Sequence, residues 1–99
     1  MENYGTRGID DLGRLVVPQS LRTKLNFEQG MQIVLMPLEP IIILKPLEGE
    51  PSSDYFISEI DELGRIALDF ELRNHQNWKE QDKIAFYLLE DILIIKKPL

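Results

Sequence analysis

The hexapeptide Ile-Asp-Asp-Leu-Gly-Arg at residues 9–14 recurs as Ile-Asp-Glu-Leu-Gly-Arg at residues 60–65. In this register, in which residue 9 falls on residue 60, the sequence aligns with itself without a gap from Tyr4 over Tyr55 to Lys45 over Lys96. The period is therefore 51 residues, and a fixed period of about this length is typical of a repeat architecture. We therefore interpret the chain as a tandem duplication: a first repeat at 1–48, a linker at 49–54 and a second repeat at 55–99.

The sequence of each repeat predicts the same order of elements: two strands, one short helix and then two further strands. The Asp-Asp/Glu-Leu-Gly segment joins the first two strands as a turn, because glycine accepts a positive φ there. Pro18 suits the start of the first helix, and Asp69 at the equivalent position suits an N-cap. The predicted strands are Gly5–Ile9, Arg14–Val17, Met31–Met36 and Ile41–Lys45 in the first repeat, and Phe56–Ile60, Arg65–Leu68, Lys83–Leu88 and Ile92–Lys96 in the second.

A unit of about 48 residues buries too little surface to offset the entropy lost on ordering. The aliphatic runs Ile41–Leu44 and Ile92–Ile95 also predict strands that are covered on both faces. We therefore expect each repeat to pack its apolar side against another copy, from the same chain or from a second chain. The expected product is a compact, mainly β barrel with two-fold or pseudo-two-fold symmetry.

Composition excludes several classes of protein. The 99 residues include no cysteine, so disulfides and cysteine metal sites are excluded, and a reducing cytoplasm is the expected location. The apolar runs are far shorter than the roughly 20 residues that span a bilayer, and the first residues do not resemble a signal peptide. Neither a catalytic arrangement nor a phosphate-binding loop is present, so we expect no enzyme activity, metal or other cofactor.

The stretch from Ile9 to Arg22, with its Asp-x-x-Gly-Arg, proline and Leu-Arg positions, resembles the AbrB/SpoVT-type (MazE-like) DNA-binding domain of bacterial regulators. The match extends over the first repeat, from Gly5 to Lys45. The second repeat is similar to a diverged copy with Asp69 in place of the motif proline. The resemblance implies a swapped-hairpin barrel in which two copies interleave their hairpins. The two-copy MraZ regulators share the Asp-x-x-Gly-Arg signature, but their repeats are longer.

The resemblance also implies double-stranded DNA as the partner and arginines as the contacts. The candidate DNA-binding residues are Arg7, Arg14, Arg22 and Lys24 in the first repeat and Arg65 and Arg73 in the second. Guanidinium groups donate bidentate hydrogen bonds to phosphate oxygens or to guanine, and mobile arginines can adapt to groove shape. Alanine at Arg14 or Arg22 is expected to weaken DNA binding without changing stability.

Structural roles are the alternative for the same residues. Arg14 and Arg65 can pair with Asp10 and Asp61 and brace their own turns, a role that is compatible with DNA contact. Arg22 and Arg73 can be solvated helix residues. Of the other candidates, the aromatic side chains of Phe27 and Trp78 fit the core better than a base-stacking surface, and His75 fits the surface.

Charge separates the two repeats. Residues 1–27 carry four basic and three acidic side chains, a balance of +1, whereas residues 52–78 carry two basic and six acidic ones, a balance of −4. Because a phosphate backbone is repelled by carboxylates, the first repeat is the better DNA-reading surface and the second a scaffold and dimerisation partner.

Two functions remain open at this point. The first is a DNA-binding transcriptional regulator, expected to be a homodimer and to bind AT-rich promoter regions. The second is a protein-interaction module, antitoxin-like or regulatory, with weak or no DNA binding. The net charge of −6 favours the second, because an acidic surface complements a basic partner protein.

Overall fold

The computed structural model describes residues 1–98, and it contains eight β-strands and two short α-helices. The last residue of the second predicted repeat, Leu99, lies outside the described residues. In chain order the elements are β1 (Glu2–Gly8), β2 (Arg14–Val16), α1 (Gln19–Leu25), β3 (Gln32–Leu38), β4 (Ile41–Pro46), β5 (Phe56–Glu59), β6 (Arg65–Ala67), α2 (Phe70–Gln76), β7 (Lys83–Leu89) and β8 (Ile92–Lys96). The predicted mainly β fold and the order of elements in each repeat are confirmed.

The strands of the two repeats are interleaved within one chain. An antiparallel six-stranded sheet has the order β1-β7-β8-β4-β3-β5, so the first strand of each repeat pairs with the third strand of the other. At the centre of this sheet β4 pairs with β8, again across the repeats. The second strands form a separate antiparallel ribbon, β2-β6, which we call the ribbon. Pairing across the repeats is what the burial argument requires, because each repeat then covers the apolar side of the other.

The expected closed barrel is not formed, because the ribbon and the six-stranded sheet remain separate. Three backbone N–H groups of the ribbon donate to side chains instead of to the backbone of a further strand. The amides of Arg14 and Arg65 donate to the carboxylates of Asp10 and Asp61 at 2.7 and 2.8 Å, and the amide of Ala67 donates to Oγ of Ser58 at 2.7 Å. These amides therefore do not take part in a backbone ladder between the ribbon and the six-stranded sheet.

The aliphatic strands at the centre of the sheet bury one face. Along β4 the side chains of Ile42 and Leu44 are fully buried, whereas Ile41 and Ile43 are only half-buried. On β8 the side chain of Ile92 is 45% exposed. The prediction that both faces are covered was therefore wrong, because successive side chains of a strand point to opposite faces and only one face meets the core.

Both helices have seven residues and end in the same way. Asn26 and Asn77 follow them in the left-handed conformation, with φ of 57° and 59°, as their positions predict. Their starts differ, since Asp69 accepts a hydrogen bond from the Glu71 amide at 2.8 Å and Pro18 offers no side-chain cap. Neither described helix has the length or hydropathy of a membrane span.

Candidate nucleic-acid interface

The ribbon places arginines from both repeats on one surface. Its register sets Arg14 opposite Ala67 and Arg65 opposite Val16, with Leu15 and Ile66 paired between them. Leu15 and Ile66 are fully buried, and the flanking side chains are on the other face because side chains alternate along a strand. The outer face therefore carries Arg14 and Arg65, related by the pseudo-two-fold symmetry of the repeats.

Each ribbon arginine is tied to the aspartate of its own turn. The Nε of Arg14 lies 2.8 Å from Oδ2 of Asp10, and Oδ1 of that carboxylate accepts the Arg14 and Leu12 amides at 2.7 and 3.0 Å. The second repeat has the same set: Nε of Arg65 lies 2.6 Å from Asp61, which accepts the Arg65 and Leu63 amides. The structural role anticipated for these arginines is confirmed.

These contacts also shift the titration of the two aspartates. Burial by itself raises the pKa of Asp10 and of Asp61, but the hydrogen bonds from the backbone and guanidinium of Arg14 and Arg65 outweigh it. The pKa of each carboxyl therefore lies below its usual value, and both turns hold an ionised aspartate at neutral pH.

The helix arginines reach across to the other repeat. Nε of Arg22 donates to the carbonyl of Val17 at 2.9 Å, and its guanidinium lies against Gly64. In the same way Nε of Arg73 donates to Leu68 at 2.8 Å, and its guanidinium lies against Gly13. Both glycines have φ of 76° and are buried, so they serve the turn and also admit an arginine.

This cross-repeat packing was not anticipated from the sequence, which left Arg22 and Arg73 as DNA contacts or solvated residues. The available signal was the recurrence of Gly-Arg and Leu-Arg at the same spacing in both repeats. All four arginines also have structural contacts, so we now expect alanine at Arg14 or Arg22 to lower stability as well as DNA binding. We call the surface formed by Arg14, Arg22, Arg65 and Arg73 the arginine face.

The other two candidates lie elsewhere: Arg7 is on β1, and Lys24 is in the last turn of α1, next to Glu2 of β1. Arg7 is exposed on this strand, and its Nη1 donates to the carbonyl of Thr6 at 2.8 Å. Lys24 is paired with Glu2, Nζ to Oε1 at 3.2 Å, and this hydrogen bond raises the pKa of the lysine. Both contacts are exposed, so they order these cations only weakly.

The arginine face is bordered by exposed apolar and acidic residues. Leu12 and Leu63 at the tips of the two turns are 71% and 60% exposed, and Phe70 is 72% exposed with its ring centroid 5.8 Å from Cζ of Arg73. Asp11 and Glu62, also at the tips, are exposed carboxylates. This mixed surface offers hydrogen-bond donors, apolar contacts and negative charge together.

The remaining sequence candidates have the predicted locations. Phe27 and Trp78 are 5% and 4% exposed and belong to the core, and His75 is exposed on α2.

Comparison with known proteins gives a fold relationship. The solution structure of PHS018 from Pyrococcus horikoshii matches with a TM-score of 0.55 at 21% identity, over 100% of this chain and 99% of that chain. This similarity supports the fold alone. No protein-family model matches the chain, and neither does any curated protein sequence.

Proposed function

We propose that the protein binds double-stranded DNA through the arginine face and acts as a transcriptional regulator of the AbrB/SpoVT type. The observation that carries this proposal is the anchoring of four guanidiniums around one two-stranded ribbon. Each Nε is held by a carboxylate or a backbone carbonyl, so the planes of the guanidiniums are ordered before any partner arrives. Preordered arginines lose less entropy when they donate to phosphate oxygens or base edges.

The geometry of the ribbon supports the same proposal. A two-stranded antiparallel ribbon fits the major groove of B-DNA, where each base pair presents a distinct pattern of donors and acceptors. The two ribbon arginines and the two helix arginines are related by the pseudo-two-fold symmetry of the repeats. Such a surface complements a pseudo-palindromic site, because each half of the ribbon meets an equivalent half-site.

The arrangement also changes the part expected of the second repeat. Arg65 and Arg73 belong to the same face as Arg14 and Arg22, so both repeats of one chain supply DNA contacts under this proposal. The affinity for DNA is lowered by charge repulsion, because the exposed carboxylates of Asp11 and Glu62 lie beside those contacts and repel phosphate. We therefore expect weak binding that is very sensitive to salt, on AT-rich promoter-like duplexes.

A second candidate function is protein binding through the same face. The exposed side chains of Leu12, Leu63 and Phe70 favour it, because apolar residues surrounded by polar ones are typical of protein interaction sites. The acidic border would then select a basic partner.

A homodimer remains part of the proposal. On the outer face of the six-stranded sheet, Met36, Ile43, Ile94 and Tyr87 form a half-buried row across four strands. A second copy could cover this row by an isologous contact, in which the same surface is used on both sides.

The test combines a DNA titration with solution mass measured on the same sample. If four arginines contact phosphates, the logarithm of the binding constant falls with a slope of about −3.6 against the logarithm of salt concentration. The affinity is then lowered about 100-fold between 50 and 200 mM salt. Glu62→Lys is expected to raise the affinity at low salt and to steepen this slope by about 1, whereas Glu48→Lys, the same charge change in an exposed segment before the linker, is the matched control.

Equal effects of the two lysine variants would mean that DNA senses only the net charge and would contradict the assignment of the arginine face. If neither the unaltered protein nor the Glu62→Lys variant binds AT-rich duplex at low salt, the DNA proposal is rejected. Retention of a small basic protein through Leu12 and Leu63 would then support the second candidate. A monomeric mass would reject the homodimer.

A further inference from the structure

An open cleft of about 400 Å³ lies beside each helix arginine. Arg22 lines the cleft of the first repeat, and Arg73 lines the cleft of the second. In the repeat register, in which residue 19 falls on residue 70, every wall residue of one cleft has its equivalent in the wall of the other. Because Arg22 and Arg73 belong to the arginine face, the two clefts border that face at equivalent positions.

Several exposed side chains around the arginine face keep their chemistry between the repeats. Leu12 and Leu63 occupy the tips of the two turns, and each follows an exposed carboxylate. On the outer face of the ribbon the exposed residues Val16 and Ala67 are both apolar. These residues therefore offer the two halves of a DNA site equivalent contacts.

The wall residues that differ in chemistry are of two kinds. In the loop after each helix the difference is in charge, with Glu28 against Lys79 and Gln29 against Glu80. Charge acts mainly on the phosphates, which are the same in every DNA sequence. These loop residues therefore change the affinity of each half for DNA but not the bases that it prefers.

The other difference lies one helical turn before each arginine. Gln19 is an exposed amide, whereas its equivalent Phe70 is an aromatic side chain that is 72% exposed. Residues three apart are neighbours on a helix surface, and the ring centroid of Phe70 lies 5.8 Å from Cζ of Arg73. The glutamine of the first repeat shows that the fold does not require an aromatic ring here. An amide and a ring beside equivalent guanidiniums therefore give the arginine face two chemically different halves.

The tandem arrangement preserves this difference. A dimer of single-repeat chains always presents two identical halves, because both come from the same sequence. Here both ribbon strands and both helix arginines come from one chain, so one arginine face carries one glutamine and one phenylalanine. The two halves can therefore prefer different bases.

We propose that the protein binds a DNA site with two unequal half-sites and does so in one orientation, an inference that rests on the DNA-binding function proposed above. The carboxamide of Gln19 offers the donor and acceptor that complement N6 and N7 of adenine, and the ring of Phe70 offers an apolar contact to the methyl group of thymine. Contacts related by a two-fold axis fall on opposite strands. Adenine in one half-site and thymine in the other therefore give adenine at both positions of one strand, where a palindrome has adenine and thymine.

The first test is a selection of binding sites from random-sequence duplexes with the full chain at about 50 mM salt, followed by sequencing. The unaltered protein is expected to enrich a motif that is not self-complementary. Phe70→Gln is expected to enrich a self-complementary motif, because both halves then carry glutamine. Each protein should bind the other's motif about tenfold more weakly, since one bidentate base contact accounts for roughly that factor.

Asn74→Thr is the matched control for this selection. It also replaces an exposed wall residue of the second cleft by its equivalent of the first, but both side chains are polar and uncharged. Its motif should remain as unequal as that of the unaltered protein. Circular dichroism and a thermal melt should show both variants folded, because Phe70 and Asn74 are exposed.

Orientation is measured on the enriched duplex by cleavage from a tethered iron chelate. The chain contains no cysteine, so Gln29→Cys gives a single attachment site at an exposed residue of the first repeat. Cleavage is expected in one half-site only. In the same protein with the exchange Gln19→Phe and Phe70→Gln, cleavage should move to the other half-site, because the two side chains that set the orientation have changed places.

The possible results separate unequal half-sites from DNA binding itself. If no duplex binds at low salt, the DNA-binding function is rejected and the unequal half-sites with it. If duplex binds but the unaltered protein enriches a self-complementary motif or no motif, the unequal half-sites alone are rejected. The same holds if Phe70→Gln enriches the motif of the unaltered protein, if Asn74→Thr alters the motif as Phe70→Gln does, if both half-sites are cleaved equally, or if the exchange leaves cleavage where it was.

Discussion

Replacement of Gly13 by alanine tests the contact between the turn of one repeat and the helix of the other. A methyl group at this residue would lie 2.8 Å from Cζ, Nε and Nη2 of Arg73, so the guanidinium would have to move. Its hydrogen bond to Leu68 would then be lost, which costs about 1 kcal/mol. The φ of 76° adds about 1–2 kcal/mol of strain for any residue with a Cβ.

Gly13→Ala is therefore expected to lower the free energy of unfolding by about 2–3 kcal/mol, which corresponds to a melting temperature lower by roughly 10–20 °C. Urea denaturation followed by circular dichroism measures it. Gly30→Ala is the matched control, since Gly30 has φ of 90° but no atom within 4 Å of the added methyl. It should cost only the strain, about 1–2 kcal/mol.

A double-mutant cycle separates the two contributions. In an Arg73→Ala background the clash is absent, so Gly13→Ala should then cost about 1 kcal/mol less than it does alone. If Gly13→Ala lowers the free energy of unfolding no more than Gly30→Ala does, or if the cycle shows no coupling, the placement of the Arg73 guanidinium does not require a glycine at residue 13. The cross-repeat packing would then contribute nothing to stability.

Two further predictions concern stability. The pKa values of Asp10, Asp61 and Asp82 are below the usual value in the folded state, the last because the Lys79 amide and Lys97 donate to it. Their contribution is therefore fully present above the unfolded pKa of about 3.9 and is lost as pH falls below it. The midpoint of urea denaturation should be constant from neutral pH to about pH 5 and should decrease when the pH is lowered below about 4. The decrease should be smaller in the double variant Asp10→Asn, Asp61→Asn. A midpoint that rises on acidification would contradict this prediction. Asp69→Ala should cost about 1 kcal/mol because the cap on the Glu71 amide is lost, and Asp54→Ala in the linker should change the unfolding free energy little; equal effects would exclude the cap.

Much of the fold was predictable from the sequence because the two repeats constrain each other. The turn glycines, the asparagines after the helices and the Asp69 cap each depend on local backbone chemistry, which one segment of sequence contains. The packing of one repeat against the other followed from the argument that neither repeat can bury its apolar side alone, whereas the order of strands in the sheet was not predicted. Each of these features is determined either by interactions within one segment or by the total apolar surface that the chain must bury.

Other features were not predictable for specific reasons. A run such as Ile41–Leu44 has the same composition whether one or both faces are covered, so only the packing reveals the half-exposed outer face. The open barrel depends on side chains such as Asp10 and Ser58, which take up backbone amides that a closed sheet would have paired. The contact of Arg22 with Gly64 joins residues far apart in the chain, and nothing in either segment alone indicates it.

The exchange of first strands between the repeats has a practical consequence for the linker. A single proteolytic cut within residues 49–54 would leave two fragments that each still need the other's strands, so they should stay associated and co-elute as one folded particle. The two halves expressed from separate genes should likewise recombine, which makes the chain a natural candidate for a split reporter whose signal depends on fragment complementation.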